Sequence, residues 1–181
     1  MSNEVLEHAV SELALKLLAH REHSARELRT KLRQRIEKRR DRFPQGNVPQ
    51  AIAAVLADFT DKHYIDDGRF ALALARQRRT RRHYGDARIR RDLKQRGIDG
   101  SMADRALLEL PDSGEAIQAA LRSYVARRGE PRRIEDLQRI YRFLVRLGHA
   151  PADVRQRLAP YFKKLEARSR TRTALRGKRK A

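Results

Sequence analysis

The stretch YGDARIRRDLKQRGI, Tyr84 to Ile98, sets the reading of the whole chain. Ile89 and Leu93 stand four apart, Gly97 follows four later, and apolar Ile98 comes directly behind it. That spacing predicts a short helix with one buried stripe, closed by a left-handed glycine and the apolar contact that commonly accompanies such a cap. The pattern returns downstream as Ile140, Leu144 and Gly148. In the first third of the chain Leu28 and Leu32 fit it, but Ile36 stands where the glycine would be, and the charged run IEKRRDR extends the predicted helix toward Arg42. One pattern met three times at a period of about fifty residues signals internal repeats.

Each of these helices has a neighbour on either side. Val10, Leu13, Ala14, Leu17 and Leu18 form the first apolar stripe; Ser24 and Glu27 then make an S-x-x-E capping box. After PQGNVP, Pro49 opens a third helix bearing Ile52, Val55, Leu56 and Phe59. In the middle, Asp66 or Asp67 caps a helix with Phe70, Ala71 and Leu74, and GIDGS separates the Ile89 helix from MADRALLEL. At the end, Ile117, Ala120, Leu121 and Tyr124 precede RRGEP, Leu137 and Leu147 extend the Ile140 stripe, and GHAP leads to Val154, Leu158, Tyr161 and Phe162. No window alternates with the period of two that strands need. The expected fold is all-α: three tandem three-helix repeats over residues 1–65, 66–112 and 113–166, then a mobile basic tail over 167–181. A unit of this size buries little alone, so the repeats are expected to stack into an elongated curved body.

The formal charge of +20 far exceeds what solubility asks of a small domain and makes a polyanion the expected partner. The absence of cysteine excludes disulfides, thiolate metal sites and a cysteine nucleophile. No segment approaches the roughly 18 apolar residues of a membrane span, and MSNEVLEHAV has neither a basic n-region nor an apolar h-region. A soluble cytoplasmic protein with no membrane contact is expected.

Catalytic chemistry has no foothold in the sequence. Asp66 and Asp67 directly precede a helix, where carboxylates satisfy free N–H groups. His20 and His23 have ligand-like spacing, but nothing around them completes a metal motif. A phosphate loop and the GxGxxG fingerprint are both missing, so no cofactor, no metal and no enzymatic activity are expected. A helix-turn-helix reader is also disfavoured: MADRALLEL and AIAAVLADF lack the polar outer face of a recognition helix, so any nucleic-acid contact should fall on phosphates.

The candidate contact residues are arginines. On a helical wheel, Phe70, Ala71 and Leu74 define a buried face that Gln77, Arg78 and Arg81 occupy one turn later, while Arg76, Arg79 and Arg82 point other ways. A helix that turns basic all round has outrun its core and projects toward a partner; the alternative is that the arginine stems snorkel over a module edge. Arg88, Arg91 and Lys94 lie opposite Ile89 and Leu93, a pattern shared by binding faces and plain solvated ones. In the tail, Arg168, Arg170, Arg172, Arg176, Lys178, Arg179 and Lys180 form an accessory anion-seeking segment.

These motifs carry a resemblance. HREHSARELRTKL, YIDDGRFA, YGDARIRRDLKQRGI, RRGEP and YRFLVRLGHAPADV, in that order between Ala9 and about Leu165, resemble the RecX family of bacterial recombination regulators. The resemblance implies a curved body of three-helix repeats that is not an enzyme. It also implies a protein that binds the RecA recombinase filament on single-stranded DNA, lies in its groove and mostly restrains its ATPase, strand-exchange and coprotease activities. Tyr64, Asp66, Asp67, Arg69 and Phe70 fall on one family motif, and Tyr84, Gly85, Ile89, Leu93, Gly97 and Ile98 on another; both read as fold-determining. The extension to Arg42 and the basic tail depart from the family pattern and inherit nothing from it. The expected partners are therefore the RecA filament and single-stranded DNA phosphates, bound by a monomer; the alternative is a sequence-nonspecific DNA- or RNA-binding protein.

Overall fold

A computed structural model describes the backbone of residues 2–178 and the side chains of residues 3–167. Among the described residues nine α-helices follow one another and no strand occurs: α1 (Ser2–Leu18), α2 (Ala25–Lys38), α3 (Val48–Asp61), α4 (Asp67–Arg82), α5 (Asp86–Gln95), α6 (Gly100–Leu108), α7 (Ser113–Arg128), α8 (Ile134–Arg146) and α9 (Pro151–Lys178). The all-α expectation holds. The chain forms two compact units, Met1–Ala75 with Asp92–Glu109 and Arg76–Arg91 with Leu110–Ala181, so the division runs within α4 and α5.

In the first unit α1, α2 and α3 pack on one another. Their apolar stripes meet as Leu6, Val10, Ala14 and Leu17 from α1, Leu28, Leu32 and Ile36 from α2, and Ile52, Val55, Leu56 and Phe59 from α3. The charged run after Ile36 does not simply prolong α2. The α-helix ends at Lys38 and a 3₁₀ turn, Arg40–Arg42, follows. The tighter turn returns Phe43 to the core edge, and Arg40 holds it there by donating to the Pro44 carbonyl at 2.9 Å. Asn47 caps α3, with Val48 first in the helix and Pro49 second.

The start of α2 is built from distant parts of the sequence. Ser24 accepts from the Glu27 N–H at 3.1 Å and its own hydroxyl donates to the Arg96 carbonyl at 2.6 Å. Of the two aspartates expected to cap α4, only Asp66 does so, accepting from the Arg69 N–H at 2.9 Å. Asp67 reaches back and accepts from the Ala25 N–H at 2.8 Å, satisfying a free donor of α2. The Glu27 carboxylate takes Arg21 at 2.7 Å, His23 at 3.2 Å and Arg96 at 3.0 Å. Burial opposes its charge, but hydrogen bonds from Arg21 and His23 and the nearby guanidinium charges win and hold it at about 2. At the other end of the same cluster α5 closes as the spacing predicts: Gly97 is left-handed at φ +85°, and Ile98 is buried and donates to the Leu93 carbonyl at 3.1 Å.

In the second unit α7, α8 and α9 pack on one another. Ile117, Ala120, Leu121, Leu137, Ile140, Leu144, Val154 and Leu158 form the core, and Leu165 on α9 is its last member.

The Asp67 tether gives a direct test. Asp67→Ala frees the Ala25 N–H at a part-buried site and should cost about 1–3 kcal/mol. Asp67→Asn, which keeps an acceptor oxygen, should lose less than half as much in the same thermal or urea melts.

Candidate functional site: an arginine-lined cleft

The second unit holds a cleft of about 910 Å³ built from three places in the chain. The end of α4 and the following turn bring Arg81, Arg82, His83 and Tyr84; the end of α7 brings Tyr124, Arg127 and Arg128; one face of α8 brings Arg139, Arg142 and Arg146. Among the described residues no carboxylate lines it.

The turn after α4 is fixed to α8 by backbone. Gly85 N–H donates to the Leu147 carbonyl at 2.8 Å and Ala87 N–H to the Gly148 carbonyl at 3.2 Å. A Cβ built on Gly85 would lie 2.2 Å from the Gly148 carbonyl group, so only glycine permits this approach. Gly148 carries the left-handed end of α8 at φ +90°, and a Cβ there would strike the Arg88 nitrogen at 2.5 Å. His149, 3% exposed, sits where Ile98 sits in the first unit and hydrogen-bonds the His83 carbonyl through Nε2 at 2.9 Å.

Arg79 is a correction to the sequence reading. It does not point away from the core; it is 5% exposed, pairs with Asp86, and donates to the Tyr84 carbonyl at 3.0 Å. The buried face of α4 runs Ala71, Ala75, Arg79 at intervals of four, so Arg79 ends the core stripe and anchors the turn. The helix has not become basic all round. Arg88 also departs from expectation: it is half-buried, its guanidinium 4.3 Å above the Tyr84 ring.

Of the predicted contact residues, then, Arg81 and Arg82 line the cleft. Arg76 and Arg91 are exposed and Arg78 is half-buried, all outside its lining, and Lys94 belongs to the first unit. The tail residues Arg168, Arg170, Arg172, Arg176, Lys178, Arg179 and Lys180 lie outside the described side chains. The other five cleft arginines lie outside the sequence expectation. Arg139, Arg142 and Arg146 recur at three and four along α8, a stripe the sequence displays beside the stronger apolar one of Leu137, Ile140 and Leu144.

The cleft pairs cations with aromatic surface. Tyr124 and Phe143 pack with ring centroids 5.0 Å apart, and Arg128 stands 5.6 Å from the Tyr124 ring. Arg127 donates to Ser123 Oγ at 3.2 Å, and Arg139 meets Asp136, itself outside the lining, at 3.2 Å. Forked cations over ring faces suit phosphates, carboxylates and stacked bases.

Fold and cleft together define a helical protein with a cationic, aromatic-backed surface. Residues 66–107 match the family model described as RecX, second three-helix domain. The regulatory protein RecX of Cronobacter sakazakii is 33% identical over 143 residues, 78% of this chain and 85% of that protein. That of Salmonella paratyphi A is 34% identical over 154 residues, 79% and 86% of the two chains. The crystal structure of RecX from Lactobacillus salivarius superposes with a TM-score of 0.66 at 18% identity, covering 89% of this chain and 97% of that one. A second regulatory protein RecX structure gives a TM-score of 0.68 at 20% identity, covering 86% and 73%. The chain belongs to the RecX family of regulatory proteins. Among the described residues no helix is long and apolar enough to cross a membrane.

Two predictions test the joint. Gly85→Ala should cost about 1–3 kcal/mol or more, because backbone rather than a flexible side chain must move. Its loss should appear in calorimetry as a lowered melting temperature. Burial holds His149 below its ordinary value, outweighing the opposing His83 hydrogen bond. The unfolded chain therefore binds this proton more readily: stability is full above the unfolded value near about 6.5 and falls as pH drops toward the folded one. The same holds for His23. The melting temperature should fall between about pH 7.5 and pH 5.5, and His149→Gln should flatten part of that loss.

Proposed function

We propose that this protein regulates the RecA recombinase by binding its filament on single-stranded DNA, lying in the filament groove and mostly inhibiting ATPase, strand exchange and coprotease activity. The family supports a regulatory role. The observation carrying the reading is that Arg81 and Arg82 share one cleft with Arg127, Arg128, Arg139, Arg142 and Arg146, with no carboxylate in its lining among the described residues. Such a surface meets acidic protein patches and neighbouring phosphates alike. The second reading, a general nucleic-acid binder, rests on the net charge of +20.

The two readings part on stoichiometry and salt. The DNA-stimulated ATPase of the cognate recombinase should fall at amounts of this protein well below those that saturate the DNA. It should stay inhibited at salt that abolishes binding to naked strands. Inhibition appearing only as the DNA becomes coated, and vanishing with the same salt dependence, would instead establish the second reading. Replacing Arg81, Arg82, Arg142 and Arg146 together by Gln should raise the half-inhibitory concentration about tenfold or more, a loss of about 1.4 kcal/mol, with the melting temperature nearly unchanged.

A further inference from the structure

The first unit carries a cationic groove of its own. It opens between α1 and the end of α2, about 670 Å³ in volume, with Leu13 and Phe43 as apolar floor. Its rim is Lys16 from α1 and Arg35, Lys38, Arg39 and Arg42 from the end of α2 and the 3₁₀ turn. The one carboxylate in the lining, Glu12, is engaged by Lys16 at 3.8 Å. Among the described residues no side chain hydrogen-bonds or pairs with Arg35, Lys38, Arg39 or Arg42, and Glu37 pairs with Arg33 instead.

Those four cations follow at intervals of three, one and three. Arg35 and Lys38 stand three apart on α2, where like charges repel by a few tenths of a kcal/mol, while Arg39 is the C-cap and Arg42 ends the 3₁₀ turn. The groove therefore gathers four cations that pair with no acid among the described residues, its one lining carboxylate, Glu12, being engaged by Lys16. Two acids occur in the same run, Glu37 and Asp41, but neither lines the groove. Four cations along one rim can meet about three or four successive phosphates of a strand. Phe43 on the floor offers a ring to a base.

We propose that this groove is a second nucleic-acid site, taking the phosphate backbone of a single strand along Arg35, Lys38, Arg39 and Arg42. It is separate from the cleft of the second unit and does not depend on the recombinase reading.

The test measures binding of the full chain to a short labelled oligo-dT strand across about 50 to 200 mM salt. Changing Arg35, Lys38, Arg39 and Arg42 together to Gln should weaken binding more than about tenfold at low salt and reduce the log-log salt slope by about 2 to 3. The melting temperature should stay or rise, because repulsion is relieved. Changing the three arginines to Lys should keep the slope. Glu12→Gln, which leaves every cation in place, should tighten binding several-fold at low salt, so the proposal can fail even if the Gln variant does not fold. Unchanged affinity and slope in the Gln and Glu12 variants would overturn it. So would loss of recombinase inhibition with DNA binding intact, since that result assigns the groove to an acidic protein surface. Failure of recombinase inhibition in the wild-type chain would sink the proposed function and leave this site standing.

Discussion

Where Gly85 meets Gly148, two turns approach so closely that no side chain fits between them, and the second unit is organised by that contact. Two backbone hydrogen bonds and the His149–His83 bond close the joint. Backbone contacts of this kind are stiffer than side-chain contacts, since no rotamer can absorb a displacement. The arginines of α4 and of α8 therefore face a common space in a fixed relation. Directed cationic surfaces need that rigidity, because a guanidinium fork rewards alignment as well as charge.

The arginines of this chain do different work according to their surroundings. Arg79 is interior, neutralised by Asp86 and spent on the Tyr84 carbonyl. Arg21 and Arg96 serve Glu27 and so hold the start of α2. Arg40 ties a turn to its own carbonyls. Arg81, Arg82, Arg142 and Arg146 in the second unit, and Arg35, Arg39 and Arg42 in the first, instead border a concavity with no acid paired to them among the described residues. A net charge of +20 is thus a sum over residues with unlike duties.

Much of the fold was legible because local rules dictate it. The stripes of Leu28, Leu32 and Ile36 and of Leu137, Ile140 and Leu144 are buried as their spacing requires, and Gly97 and Gly148 end helices because their backbone is left-handed. What escaped was non-local or small. Ala75 is too small to announce a core position, so the stripe of α4 was drawn through Leu74 and placed Arg79 on the wrong side. Gly85 has no unusual φ; its need for glycine comes from a chain segment more than sixty positions away. Asp67 looked like a second cap for its own helix because nothing nearby names Ala25 as its partner. The cleft escaped for a related reason: its three contributors are unremarkable singly, and only the joint assembles them.

The start of α2 has a consequence for the order of synthesis. Its cap is completed by Asp67, 42 positions downstream, and its Ser24 hydroxyl is engaged by Arg96, 72 positions downstream. A chain leaving the ribosome finishes α1, α2 and α3 before either partner exists. The first three helices can collapse on their apolar faces at that stage, yet the head of α2 stays wet until the middle of the chain has emerged. The N-terminal third is thus the first part made and among the last to be sealed.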